Sequence, residues 1–586
     1  MVVDCLVFRL MVTLLVAGAG RRIVSRIQGA LLRIGVAGSI LAAITSLANA
    51  TELAGCHPDN GATDVAISAA LQLRFSEALD PKTLGGLTLQ RVKDKKSVPL
   101  RRSTDLTNAS ITLVPTEFLS PNTSYEIRGS NKVKAKRNSA GLKPFTVTFT
   151  TGEENFDPSK RLQFEPLVFD RTRSMTTISV GPDGKLYAAD AFGSLVRWSL
   201  DESGKPYNRE QILRDPEKSR QYIDLEWDPE STAAEPILWA SFADRLTPKD
   251  DSRYYFTGKI TRIELADKVT EQIVIEGLPH GREFLGGYQR PPHQPNGLLF
   301  HQGKLYQSVG STSSSGGPAN WGIEEQKLSA CILEIDYQTI EKTLDVHPDT
   351  GFDPEASDSP IRIFATGVRN ALEIIAHSNG RFYTAVNIND RAGPADGVPD
   401  HPGIPGNQNL LIKGNTPDHE SLLILERGRH YGFPNPARGH FVLNGGNPTS
   451  KPDPFEIPEY PVGTAPDPGF APELMFPIWQ WGGTSPNGML EYSPDFPDPL
   501  SGAIICCFYS AGDIAVMQPG ADGLPVSVEK LRAPGNKKLR LEGPLDITQD
   551  PKTGCLYIAN FGVQSKFGED GTVVMLRPML NQQNTR

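Results

Sequence analysis

His293 is the side chain whose type and position lend themselves most directly to chemistry. It opens the stretch HQPNGLLFHQGKLYQSVGS. There Leu298, Leu299 and Phe300 read as one strand, His301-Gln302-Gly303-Lys304 as a turn, and Leu305, Tyr306 and Val309 as the return strand. Imidazole has a reference pKa of about 6.5, so a histidine where a strand begins can act as a base at the rim of a sheet. The alternative is a histidine of a surface loop. Other polar groups gather in later connections: Arg369 and Asn370 in Gly367-Val368-Arg369-Asn370, and Asp390, Asp396 and Asp400 in NDRAGPADGVPDHPGIPGNQ. Asp418-His419-Glu420 follows, ahead of Gly428-Arg429-His430-Tyr431-Gly432-Phe433-Pro434. No G-x-S-x-G elbow, HExxH or CxxCH occurs, so serine hydrolase, zincin and c-type haem chemistry have no support.

These groups need a scaffold, and the chain repeats itself to provide one. Ile178 to Leu200, ISVGPDGKLYAADAFGSLVRWSL, follows the plan strand, Asp-Gly turn, strand, Gly turn, strand. The plan returns in ILWASFADRL with GKITRIEL, HQGKLYQSVGS with ACILEIDY, HSNGRFYTAVNIND with ESLLILERG, SGAIICCFYSAGDIAVMQP, and DPKTGCLYIANFG with GTVVMLRP. Such units cannot bury both faces alone, and six of them predict a six-bladed β-propeller over residues 161–580. Insertions fall at 244–257, 311–327, 390–420 and 438–484, where long loops tend to carry function or cover it. The composition agrees with an all-β chain: 55 glycines, 48 prolines and no long helical heptads in 586 residues. A formal charge of -9 argues against a nucleic-acid surface.

Ahead of the repeats, residues 57–152 alternate apolar and polar with period two, as in Leu71, Leu73 and Phe75 or Phe145, Val147 and Phe149, which predicts a β-sandwich. Its P-x-x-G-A-x-x-V opening, L-x-F-S-E-x-L-D segment and closing F-T-T-G resemble the bacterial Ig-like domain, and the resemblance implies a spacer or cell-surface attachment module. TGEENFDPSK reads as the linker. Residues 1–50 read as a signal peptide, with Arg21, Arg22, Arg26 and Arg33 flanking a short apolar run and Ala48-Asn49-Ala50 at the cleavage site, so export to the periplasm or beyond is expected. Leu53-Ala54-Gly55-Cys56 also resembles a lipobox, which would anchor the chain through a lipidated Cys56. Of the other cysteines beyond the leader, Cys331, Cys506, Cys507 and Cys555 can form two disulfides or stay as buried thiols.

Taken in chain order, the His293 hairpin, Gly367 to Asn370, and the Asp-His-Glu and Tyr-Gly-Phe-Pro segments resemble the soluble glucose/sorbosone dehydrogenase family, over roughly residues 164–580. The resemblance implies a propeller that binds pyrroloquinoline quinone (PQQ) and calcium and oxidises a sugar or related alcohol. On that footing His293 is the general base, Arg369 stabilises charge growing on the quinone, and Asn370, Asp190 and Tyr431 contact the cofactor. Calcium, which takes six to eight oxygens, would draw on Asp390, Asp396, Asp400, Asp418 and Glu420, although the spacing is not that of an EF-hand. The chain departs from the family where arginines are expected to hold the cofactor's carboxylates: Gly543 and Leu545 stand there, with Lys537, Lys538 and Arg540 nearby. Each missing charge-assisted bond forgoes about 1.5 to 3 kcal/mol. Two other readings therefore stay open: a non-catalytic surface propeller binding glycan or protein, and a calcium-dependent lactonase, the latter by fold analogy alone.

Overall fold

The computed structural model describes residues 51–579 except 66, 68, 70, 105–108, 153–162, 218, 267, 282, 286–287, 291–292, 314–315, 317–322, 388–394, 399–409, 413–419, 450–455, 458–459, 479–484, 497–499, 521 and 563–569. The signal peptide, the linker, and the candidate residues Asp390, Asp400 and Asp418 lie outside the described residues. Almost all of the regular structure is β.

The first unit is the expected sandwich. One sheet runs Leu53–His57, Leu71–Phe75, Ser110–Pro115, Leu100–Thr104, and the other runs Ala62–Val65, Phe145–Thr151, Ser124–Gly129, Leu87–Arg91, Ser97–Val98. Alternation does the sorting: Leu71, Leu73 and Phe75 face inward while Gln72 and Arg74 face solvent. Cys56 lies within Leu53–His57, opposite Leu73. The sandwich rests on the second unit through Phe118, which stacks on Phe476 at 5.1 Å, and Arg101, whose guanidinium lies 5.0 Å from the Phe470 ring.

From Gln163 onward, six sheets of four to six strands form a ring of six blades, antiparallel except where the edge strands Leu344–Asp345 and Arg532–Ala533 pair parallel. Their inner strands are Met175–Val180, Arg220–Trp227, Pro295–His301, Ile375–Ala376, Pro486–Glu491 and Pro544–Gln549, which open blades 1 to 6 in that order. Gln163–Thr172 closes the ring by pairing antiparallel with Gly571–Met579 of blade 6, so the two ends of the domain share one sheet. The predicted hairpin is present. Pro295–His301 pairs with Lys304–Val309 around Gln302 and Gly303, whose φ values of 47° and 75° suit a two-residue turn. Cys331, Cys506, Cys507 and Cys555 are buried free thiols, and Cys56 is also unpaired; the disulfide alternative is not adopted.

Each inner strand has one edge that its own blade cannot pair, and the neighbouring blade satisfies part of it. Asp224 Oδ2 of blade 2 accepts from Leu298 N of blade 3 at 2.6 Å, and Asp546 Oδ2 of blade 6 accepts from Ile178 N of blade 1 at 2.8 Å. Each carboxylate's Oδ1 takes the amide of the residue after it, Leu225 or Ile547. Glu226 accepts from Phe300 N, and Glu373, just before blade 4, from Ile374 N. Burial first, then mutual repulsion, raises these carboxyls: Asp224 to about 6 by burial, Asp546 to about 7, Glu226 to about 8, and Glu373 well above the usual range.

A pH dependence follows. The unfolded chain releases these protons near pH 4, about the reference carboxyl value, whereas the folded chain keeps them to higher pH. Their contribution to stability is therefore greatest in acid and is lost as pH rises towards about 8. Thermal unfolding of the full chain at a series of pH values is expected to show that fall, and Asp546→Asn is expected to flatten it. A parallel profile for the variant contradicts the assignment.

Candidate functional site

The inner strands begin at one end of the ring, and three of the residues singled out by sequence, His293, Arg369 and Asn370, meet there between blades 3 and 4. His293 is buried just before the blade 3 inner strand, and its Nδ1 lies 2.8 Å from Ser311 Oγ. Ser311 has one hydroxyl proton and donates it to Ser313 O at 2.7 Å. The imidazole must then be the donor in the first bond, which puts a proton on Nδ1.

Backbone bonds fix the position. Gly281 N donates to His293 O at 2.8 Å, Gly310 N to Gln294 O at 3.1 Å, and Ser311 N to Arg369 O at 2.7 Å. Arg369 and Asn370 are therefore tied to the same loop that orients His293, and both are buried. Asn370 Oδ1 accepts from Asn296 Nδ2 at 2.8 Å, while the same amide donates to Ala371 O at 2.9 Å and bridges the two blades. Gly310 is packed into the centre of this group: a Cβ there would come within 2.6 Å of His293 Cβ and 3.0 Å of Asn370 Oδ1. His293, Arg369 and Asn370, far apart in sequence, form one constellation.

The other candidates are dispersed. Asp190 is buried at the same end of blade 1, where its Oδ1 accepts from Phe192 N and Ser194 N, each at 2.8 Å, and shapes the turn between two strands. Burial raises its pKa. Tyr431 is buried with its hydroxyl committed to Ile424 O at 2.6 Å and Glu426 N at 2.9 Å, so it braces its own segment and does not join His293. Glu420 Oε1 accepts from Ser485 N at 2.8 Å and ties blade 4 to blade 5. Asp396 belongs to the two-stranded piece Ala395–Val398 with Leu410–Ile412. Among the described residues, no group of three or more His, Cys, Asp or Glu side chains could hold a metal ion.

Several participants had no role in the sequence reading. Ser311 and Asn296 lie inside the His293 stretch, and their place in the hairpin was the available signal. Arg173 and Arg245 are different: they precede blade 1 and follow the second strand of blade 2, and their guanidiniums lie 5.3 and 4.5 Å from the Phe192 ring. Phe192 belongs to an apolar group with Phe561, Tyr509 and Leu545 at the same end of the ring. Gly543 adopts φ 67°, and a Cβ there would meet Gly562 O at 2.8 Å and the Tyr509 ring at 2.9 Å.

Comparison with known proteins adds the following. The bacterial Ig-like domain family matches residues 48–151. No curated protein matches the chain. Among solved structures, a glucose dehydrogenase-type oxidoreductase from Thermus thermophilus aligns at 15% identity and TM-score 0.42, covering 71% of this chain and 99% of that one. The PQQ-bound aldose sugar dehydrogenase from Streptomyces coelicolor aligns at 13% and 0.42, covering 72% and 100%. The pyranose dehydrogenase PQQ domain from Coprinopsis cinerea gives 13% and 0.42, covering 72% and 98%. The six-bladed ring stands on its own strand pairing.

Gly310→Ala tests the packing of the constellation. The added methyl has to displace His293 or Asn370, which is expected to cost about 1 to 3 kcal/mol of stability in chemical denaturation. An unchanged midpoint contradicts this geometry.

Proposed function

We propose that the chain is an exported oxidoreductase that oxidises a sugar or related alcohol with PQQ, with His293 as the general base. The observation that carries the reading is the buried His293 whose tautomer Ser311 sets, beside Arg369 and Asn370 and within a sequence stretch resembling the soluble glucose/sorbosone dehydrogenases. PQQ is a planar tricarboxylate, and its fit can be judged from this end of the ring. Gly543 leaves no room for the expected arginine, but Arg173 and Arg245 lie over the Phe192 ring, which groups with Tyr509 and Phe561 to give cations beside apolar faces. These cations and apolar faces support the reading that this end of the ring holds such a group, with cations drawn from blades 1 and 2.

When bound, PQQ supplies the two-electron acceptor chemistry that no side chain here offers. His293 takes the hydroxyl proton of the substrate at Nε2, and the resulting positive charge is spread through Nδ1–H to Ser311. Arg369, buried and permanently charged, would favour negative charge growing on the quinone. Asn296 and Asn370 keep the two blades in register, so that base and cation stay at one separation. Calcium held by Asp390, Asp396, Asp400, Asp418 and Glu420 belongs to the same proposal, as do export by the leader, anchoring through Cys56, and attachment through the Ig-like domain.

A second reading, a non-catalytic propeller that binds glycan or protein, is favoured by one observation: Gly543 stands in a tight left-handed turn where the family is expected to carry an arginine. Dye-linked sugar oxidation by the PQQ-loaded chain separates the two. His293→Ala is expected to lower the rate by about a hundredfold or more while leaving cofactor binding in place. Unaltered oxidation in the variant removes His293 from the mechanism, and glycan binding without quinone supports the second reading.

A further inference from the structure

Behind His293, the insertion that follows the blade 3 hairpin buries a carboxylate whose hydrogen bonds lead back to the imidazole. Glu325 is 3% exposed. Ser313 donates to its Oε1 twice, from N at 2.8 Å and from Oγ at 2.6 Å, and Thr312 N donates to Oε2 at 3.3 Å. The Ser329 hydroxyl also lies on Oε2. Gly316 N donates to Ser313 Oγ at 3.0 Å, so the amide and the hydroxyl of Ser313 are both held, and its carbonyl is the group that receives the Ser311 proton at 2.7 Å. Ser311 Oγ is in turn the partner of His293 Nδ1. A second path joins the same groups: Ala330 N, one residue beyond Ser329, donates to Gly310 O at 3.2 Å, directly before Ser311.

A carboxylate is costly to bury unless donors compensate it, and here they do. Burial raises the Glu325 carboxyl, while the Ser313, Ser329 and Thr312 bonds and the Arg438 charge pull it back down. Arg438 comes from the 438–484 insertion. Its Nη1 donates to Lys327 O at 2.7 Å and Ser329 O at 2.6 Å, and its Nη2 to Ala330 O at 3.2 Å, which seats a cation on the Glu325 segment. Two backbone amides and a hydroxyl aimed at two oxygens make a site for a group that only accepts. A glutamine cannot reproduce it, because one of its two terminal atoms is an NH2 donor that would face either the Ser313 amide or the Thr312 amide.

We propose that Glu325 is a positioning residue for His293: by holding Thr312 and Ser313 it directs the Ser313 carbonyl to Ser311, and so fixes Ser311 as the acceptor of the His293 Nδ1 proton. The role of His293 as a base rests on the oxidation proposed above, whereas its orientation by Glu325 does not. The rival explanation is a purely structural part, in which Glu325 only folds residues 311–327 onto the blade.

The test follows the His293 Nδ1 proton by NMR in the full chain with isotope-labelled histidine, the signal being assigned by its loss in His293→Gln, and records the unfolding temperature alongside. A bonded proton is expected in the wild type. Glu325→Gln is expected to speed its exchange with water about tenfold. Ser313→Ala, which leaves both amides on the carboxylate, is expected to speed it about threefold, and Glu325→Asp to keep part of the protection. In the PQQ-loaded chain, Glu325→Gln is expected to lower kcat for dye-linked oxidation about tenfold with KM unchanged. The proton signal needs no quinone, so a chain that oxidises nothing still reports on Glu325. Because Glu325→Gln can disturb folding, Ser313→Ala decides the matter where that variant does not fold. Wild-type exchange in the folded variants, even with a lower unfolding temperature, overturns the proposal and leaves Glu325 a structural part; so does the absence of a bonded Nδ1 proton in the wild type.

Discussion

A propeller's inner strand cannot pair its backbone on the edge that faces the channel, and this unpaired edge governs much of the molecule. Blades 2 and 6 answer it with the same device, an aspartate that takes one amide of its own strand and one of the next blade. Blade 3 answers with Asn296, whose amide reaches Asn370 and Ala371 of the following blade. The first solution concentrates carboxyls at the centre of the ring and raises their pKa values. The second leaves a neutral bridge next to His293, and at that blade boundary the proposed chemistry sits.

The same constraint explains how the site is built. Arg369 and Asn370 precede a short inner strand, Ile375–Ala376, so their backbone is free to bond sideways, and Ser311 N takes the Arg369 carbonyl. Ser311 then serves two ends at once, holding Arg369 through its amide and His293 through its hydroxyl. Gly310 is small because both neighbours crowd it. The His293 side chain and the Arg369 backbone, from different blades, are thus tied to one turn.

The sandwich, the repeating blades and the His293 hairpin were legible in the sequence because each is a local pattern: period-two alternation, Asp-Gly and Gly turns, a recurrent G-x-L-Y phrase. Ring closure by Gln163–Thr172 and the grouping of His293 with Arg369 were not, since they join segments with no local signature. Tyr431 illustrates the limit from the other side. A tyrosine in a suggestive motif has its hydroxyl turned to Ile424 and Glu426, and only the backbone around it decides that. Arg173 and Arg245 escaped notice because Phe192, the ring that gathers them, lies in a third segment.

We propose a PQQ site at this end of the ring. It is tested most directly by titrating PQQ, with calcium present, into the purified chain while following heat and quinone absorbance together. Saturable binding in the micromolar range or tighter, weakened in Arg369→Ala, is the predicted result. A titration without saturation, in heat and absorbance alike, contradicts it and leaves a propeller of the same shape with another task.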